Sequence, residues 1–207
     1  MMMSIKKKKR QIRKAGQLIQ KKCENRIGFG RNIEIKAKIT RFDQIKRLVA
    51  ELSGKPPLVL NQEDIYYKVS KGRLKLRIER HARSELIYYE RRDDAAPKSS
   101  VYIRTAVPKP LEMKRFLSAA LGELGRIRKK RLLYLIGATR VHLDKVEGLG
   151  AFIELEVVLR RGESEKKGQR IALNLLDALR IDKRDLIKGS YADLSAGRSW
   201  RGRNLHG

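Results

Sequence analysis

The most constraining feature of this chain is an alternation of apolar and polar side chains at period two, which recurs over most of its length. Only extended strands with two different faces satisfy such a pattern. It is clearest from 32 to 40, where Ile33, Ile35, Ala37 and Ile39 take one face and Asn32, Glu34, Lys36 and Lys38 take the other. Comparable runs at 62–69, 72–80, 85–92, 99–106, 128–136, 138–146 and 151–160 bring the predicted total to eight strands. Three segments instead follow a 3.6-residue period, from Phe42 to Leu52, Leu111 to Leu124 and Ile171 to Leu179, and predict amphipathic helices. Lys71-Gly72, Ile136-Gly137 and Glu147-Gly148-Leu149-Gly150 separate strands by connections too short for parallel crossovers. The pattern therefore predicts an α+β chain: an eight-stranded antiparallel sheet or barrel with covering helices.

The chain carries 50 Lys and Arg against 23 Asp and Glu, a net charge of +27. Much of the excess lies at the ends: residues 1–31 hold eleven basic residues and one Glu, and 196–207 hold three Arg and no acid. Residues 1–30 read as a disordered basic arm, 31–194 as the folded domain, and 195–207 as a disordered basic tail. The arm admits three readings: a solvated leader, a contact to nucleic acid or an anionic surface, or a targeting peptide. Removal of residues 1–28 is expected to leave activity intact. Between 32 and 195 there remain 36 basic and 22 acidic residues, an excess that implies an anionic partner.

Other classes fall away. Cys23 is the single cysteine and the three histidines are far apart, so no zinc-type Cys/His cluster forms and a metal would have to be held by carboxylates. No run of about 18 uncharged apolar residues offers a membrane-spanning helix, and a cytoplasmic location is expected. Walker-type, kinase and dinucleotide fingerprints are missing.

The polar strand faces are unusually charged. Glu34, Lys36 and Lys38 share one; Arg73, Lys75 and Arg77 another; Arg140, His142 and Asp144 a third; Glu154 and Glu156 a fourth. In an ordinary barrel these faces meet water; in an inverted one the helices cover the apolar faces and the charges line a wet lumen. Alternation alone fits both. Charge sorting separates them, because a row such as Arg73, Lys75 and Arg77 repels itself unless an anion sits among its members, and Glu154 beside Glu156 asks for a cation. Basic rows with separate carboxylates suit a metal-bound polyphosphate, with Arg forks on phosphate oxygens and oxygen ligands on the ion.

The ordered runs Asn32-Ile-Glu-Ile-Lys36, Gly72-Arg-Leu-Lys-Leu-Arg77, Tyr88-Tyr-Glu-Arg91, Thr139-Arg-Val-His-Leu-Asp144, Val146-Glu-Gly-Leu-Gly150 and Phe152-Ile-Glu-Leu-Glu156 resemble the CYTH family over about residues 31–194. That family groups class IV adenylyl cyclases with thiamine triphosphatases on a fold known as the triphosphate tunnel. The resemblance implies an eight-stranded antiparallel tunnel with its charges inside and Mg²⁺ or Mn²⁺ as cofactor. It implies a triphosphate substrate: ATP cyclised to cyclic AMP and pyrophosphate as the leading expectation, thiamine triphosphate or inorganic tripolyphosphate hydrolysed as the alternative. A non-catalytic polyphosphate or nucleotide binder is a third reading, because the signature's first glutamate is Asn32 here.

Carried over by position, the resemblance makes Glu34, Glu154 and Glu156 metal ligands and Glu34, Lys36, Asp144 and Glu156 catalytic. Lys36, Arg73, Lys75, Arg77, Arg91 and Arg140 would bind phosphate, with Lys130 or Arg131 near another such position. His142 is expected to be a hydrogen-bonded structural residue, Tyr88, Tyr89 and Tyr102 packing residues or tunnel walls, and the Gly189–Asp193 segment a cap on the tunnel.

Overall fold

The computed structural model describes residues 27–80, 82–93 and 95–201. Eight strands are present: β1 (Gly28–Lys38), β2 (Leu58–Tyr67), β3 (Arg73–Glu79), β4 (Glu85–Arg91), β5 (Lys98–Ala106), β6 (Glu123–Ile136), β7 (Thr139–Val146) and β8 (Gly150–Val158). They close into a barrel in the order β1-β5-β4-β3-β2-β6-β7-β8, every pair antiparallel and β8 hydrogen-bonded back to β1. Among the described residues four α-helices accompany them: α1 (Phe42–Ser53), α2 (Pro110–Leu121), α3 (Glu165–Ala178) and α4 (Tyr191–Arg201). No helix among the described residues is long and apolar enough to cross a membrane.

Alternation decides which face each strand turns inward, and the barrel is inverted. Its main apolar core lies outside the wall, where Ile33, Ile35, Val141, Leu143, Ile153 and Leu155 of β1, β7 and β8 pack against Ile45 and Val49 of α1 and Ala172 and Leu176 of α3. A second outer cluster joins Ile65, Tyr67 and Leu76 of β2 and β3 to Leu117 of α2. These three helices therefore shield apolar strand faces that would otherwise meet water, and the interleaved polar faces are left to line the lumen.

A third cluster, Tyr66, Ile127, Val146, Leu149, Phe152 and Tyr191, closes one end of the barrel. The chain reaches it after α3 through a short 3₁₀ turn at Lys183–Asp185, a bridge between Leu186 and Ala37, and a hydrogen bond from Ile187 N–H to the Lys36 carbonyl. There α4 begins on a reciprocal cap: Ser190 Oγ accepts from Asp193 N–H at 3.3 Å, and the Asp193 carboxylate accepts from Ser190 N–H at 2.6 Å.

The eight strands agree with the alternation in number and order, and three helices differ from the periodicity: α2 stops at Leu121, where Gly122 has a positive φ of 72°, so Leu124 belongs to β6, which starts at Glu123 rather than near 128. α3 starts at Glu165 rather than near Ile171, because Ser164 caps it and accepts from Lys167 N–H, so a polar first turn is helical without an apolar stripe. α4 runs to Arg201, past the expected domain end at 194, and β1 starts at Gly28, inside the expected arm. Residues 1–26 of that arm lie outside the described residues.

Gly168 shows how closely α3 sits on the barrel. A Cβ at this position would stand 2.6 Å from Ile33 Cγ1 and 2.9 Å from Leu159 Cδ2. Gly to Ala inside a helix ordinarily gains about 1 kcal/mol. Here Gly168→Ala is expected to destabilise by about 1–3 kcal/mol through overpacking, read as a lower urea midpoint; a raised midpoint would show that α3 has room to move.

Candidate active site

The lumen holds a cavity of about 410 Å³, within the size range of small-molecule sites. Its wall includes Asn32 and Lys36 of β1, Asp64 of β2, Lys75 and Arg77 of β3, Arg91 of β4, Lys129 and Arg131 of β6, Arg140 and His142 of β7, and Glu154 and Glu156 of β8. Lys36, Lys75, Arg77, Arg91, Arg140, Glu154 and Glu156 are thus brought together as expected. Glu34, Arg73 and Asp144 are not among the residues of the cavity wall.

Two charge clusters organise this wall. In the first, the fully buried carboxylate of Asp64 accepts from Arg77 Nε at 2.7 Å and Nη2 at 2.9 Å, from Lys75 Nζ at 3.2 Å and from Lys129 Nζ at 2.6 Å. Burial alone would raise its carboxyl, but the charges of Arg77, Lys129 and Lys75 outweigh that and hold it well below the usual range. The anion that the Arg73-Lys75-Arg77 row demands is thus supplied partly by β2. Arg73 itself turns away, to Asp93 at 2.6 Å and Asp193 at 3.1 Å, and ties β3 to the first turn of α4.

The second cluster spans β1, β7 and β8. Register places Glu34 opposite Glu156 and Lys36 opposite Glu154 on one side, and Arg140 opposite Glu156 and His142 opposite Glu154 on the other. Lys36 Nζ lies 3.2 Å from Glu154 and 4.0 Å above the Tyr191 ring. Arg131 forks onto Asp144 at 2.7 and 2.6 Å and reaches Glu154 at 2.9 Å, while Tyr191 Oη donates to Asp144 at 2.8 Å. Asp144 therefore acts on Arg131, setting its orientation. Glu34 forms an ion pair with Arg91, whose other arm donates to the Gly189 carbonyl at 2.7 Å.

His142 completes a group with Glu154 and Glu156 in which one ligand atom from each lies within 4.8 Å of the others. Its Nδ1 is buried, makes no hydrogen bond, and stands 3.6 Å from Glu154 Oε2 and 3.7 Å from Glu156 Oε1. Burial, then the Arg131 charge, lower its pKa, which favours the neutral imidazole, the form that can ligate a cation. An orphaned imidazole nitrogen facing two carboxylates is a donor set that fits a divalent cation. Glu34, expected in this set, is paired with Arg91 and lies outside this group, whose third member is His142.

Sequence reasoning missed Asp64, Lys129 and Lys98, and left Lys130 and Arg131 unresolved. On β2 four consecutive polar residues, Asn61 to Asp64, blur the alternation, so the sequence does not tell Asp64 from Glu63 as the carboxylate that faces the lumen. On β6 basic residues occupy both faces, Arg128 and Lys130 outside and Lys129 and Arg131 inside, so charge gave no sign of direction. Lys98 is also buried.

Burial, together with neighbouring cations, lowers Lys129 to about 7 and Lys75 and Lys98 each to about 8, against an ordinary 10.5. Between those values the unfolded chain binds protons that the folded chain does not. The stability these lysines contribute is therefore full above about 10.5 and is lost as pH falls through 8 and then 7. A phosphate in the lumen favours their charged forms, so tripolyphosphate binding at pH 8 is expected to take up protons. Calorimetry in buffers of different ionisation enthalpy checks this, and identical heats would mean that the lysines are charged before binding.

Comparison with known proteins agrees with this geometry. The model of the CYTH domain family matches residues 30–191. A protein of Methanocaldococcus jannaschii named "Putative adenylate cyclase" is 28% identical over 170 residues, covering 78% of this chain and 97% of that one. Among solved structures, the PH1012 protein of Pyrococcus horikoshii superposes with a TM-score of 0.70 at 24% identity, over 79% of this chain and 98% of its own. A Hippeastrum protein described as a "putative adenylyl cyclase" with a dominant triphosphatase activity superposes with a TM-score of 0.55 at 15% identity, over 82% and 96%.

Proposed function

The chain belongs to the CYTH domain family, and from that premise we propose that it is a metal-dependent enzyme that converts ATP to cyclic AMP and pyrophosphate inside the barrel. The observation that carries the reading is a single enclosed wall that joins the His142–Glu154–Glu156 group to a dense set of buried cations. Mg²⁺ or Mn²⁺ held there by Glu154, Glu156 and His142 would supply charge neutralisation on the phosphate oxygens. Mn²⁺ suits the imidazole better than Mg²⁺ does.

The chain's own residues do the rest. Lys36, Arg131 and Arg140 stand beside the two carboxylates and neutralise charge that develops on the reacting phosphate. Lys75, Arg77 and Lys129 hold the neighbouring phosphates. Arg91, braced by Glu34 and the Gly189 carbonyl, adds a guanidinium at the closed end. In cyclisation the ribose 3'-hydroxyl oxygen bonds to the α-phosphorus and its proton passes to solvent in the lumen, the bond from that phosphorus to the bridging oxygen breaks, and pyrophosphate leaves with the electron pair. Such a step needs in-line positioning and charge stabilisation more than a protein nucleophile.

A second reading, attack of water on the terminal phosphorus, is supported by the triphosphatase activity ascribed to the Hippeastrum relative. One experiment separates the readings: incubate the full chain with ATP, thiamine triphosphate or tripolyphosphate and Mg²⁺ or Mn²⁺, and identify products by chromatography. Cyclic AMP with pyrophosphate supports the cyclase. Orthophosphate supports the triphosphatase, and no metal-dependent product from any substrate makes the protein a binder.

A further inference from the structure

The outer side of the wall holds a second recess, of about 750 Å³. Register sets four of its residues in one row across neighbouring strands: Asn61 of β2 stands opposite Lys130 of β6, and Lys130 opposite Lys145 of β7. Arg80 extends the row beside Asn61, since it follows Glu79, the partner of Gln62. All four are exposed. With neighbouring strands about 4.8 Å apart, the row is roughly 14 Å wide.

Like charges directly opposite one another on adjacent strands are destabilising, and this row contains three cations, one amide and no carboxylate. Among the described residues none of Arg80, Lys130 and Lys145 forms a salt bridge. The Lys145 ammonium rests 4.5 Å above the Phe42 ring, a contact that leaves its charge in place. Two carboxylates flank the row rather than join it: Glu63 is taken by Arg128 at 3.3 Å, and Glu147 donates its backbone N–H to the Arg128 carbonyl at 2.9 Å. The inner row on β3 finds its anion in Asp64. The outer row has none of its own.

We propose that this row is a docking surface for the phosphate backbone of a nucleic-acid duplex, outside the lumen and independent of the reaction assigned to it. Its width calls for a repeating polyanion, because one phosphate cannot meet cations at both ends of the row. Among the described residues the recess is lined by no aromatic side chain, so unpaired bases find no platform to stack on and a duplex is the better fit. A bilayer fits worse. Interfacial binding needs apolar side chains standing among the basic ones, whereas in this recess Ile78 is half-buried and Val146 is buried. The net charge of +27 adds attraction at long range without choosing a place on the surface. The row supplies the place.

The test is binding of a fluorescent DNA duplex of about 20 base pairs to the full chain, followed by anisotropy between about 50 and 200 mM salt. The triple variant Arg80→Gln, Lys130→Gln, Lys145→Gln is expected to bind about tenfold more weakly or worse, and to lessen the slope of log affinity against log salt by about 2 to 3, near one for each lost phosphate contact. A second triple variant, Lys55→Gln, Lys166→Gln, Arg170→Gln, removes the same charge from exposed positions elsewhere and should leave the slope as it was. Equal losses in the two variants would overturn the surface and leave net charge as the cause. Retained duplex binding with lost binding to phosphatidylserine vesicles would overturn it in favour of a membrane. Lys130→Glu gives a single-site measure: it should weaken duplex binding more than Lys130→Gln does, and equal affinities for the two would also overturn the row.

Discussion

Asp64→Asn is expected to destabilise the fold by about 3–5 kcal/mol, the usual consequence of removing one partner from a buried ionic cluster. The wild-type carboxylate has no exposure to solvent and receives hydrogen bonds from Arg77, Lys75 and Lys129. With a neutral amide in its place, three inward cations face one another. Arg77 stays charged, whereas Lys129 and Lys75, already lowered to about 7 and 8, would lose their protons more readily still. The variant should therefore recover stability between pH 7 and 9 more steeply than the parent. An external anion should do the same: tripolyphosphate at about 100 times its dissociation constant contributes about 2.7 kcal/mol to any chain that binds it only when folded. At one fixed concentration it should raise the urea midpoint of the variant by more than that of the parent, because a basic row without its carboxylate binds the anion more tightly. An unchanged midpoint, with no added response to polyphosphate, would show that the row is held apart by something other than Asp64.

That cluster also shows what the sequence makes legible and what it conceals. Alternation places Lys36, Lys75, Arg77, Arg140, Glu154 and Glu156 on inner faces, because it fixes which residues share a face within a strand. Which face is inner followed from charge sorting and from the family resemblance, not from the period itself. Partners across strands depend on register, which no single strand encodes. Hence the basic row of β3 was readable as needing an anion, while the anion, one residue of β2, was not. The same limit explains Glu34 and Asp144. Both belong to inner strand faces, yet Arg91 claims one and Arg131 with Tyr191 claims the other, through contacts that cross 57, 13 and 47 residues of sequence. His142 went the other way: its neighbours on β8 make an apparently structural histidine into a member of the carboxylate group.

Those assignments make two acidic residues on adjacent strands behave in opposite ways. Glu156→Gln should lower metal-dependent turnover by about 100-fold or more, since losing one ligand removes several kcal/mol of charge stabilisation from a polarised phosphate. Its stability should change little, because the Arg140 left behind keeps 23% of its side-chain surface in solvent and the repulsion between Glu156 and Glu154 is relieved. Mn²⁺ affinity, read by electron paramagnetic resonance, should fall in step with turnover. Asp144→Asn should reverse that order. Its carboxylate is fully buried and holds the Arg131 fork and the Tyr191 hydroxyl, so the loss appears first as a lower unfolding midpoint and a loosened α4. Mn²⁺ affinity should persist in whatever fraction remains folded. If Asp144→Asn instead lost Mn²⁺ with its stability intact, and Glu156→Gln kept full turnover, the metal group would have to be moved from β8 toward Asp144. Arg131 would then be a neutralising partner for the ion's ligands rather than a phosphate contact. The contrast between the two variants therefore tests the division of the inner wall into groups that meet substrate and groups that hold those in place.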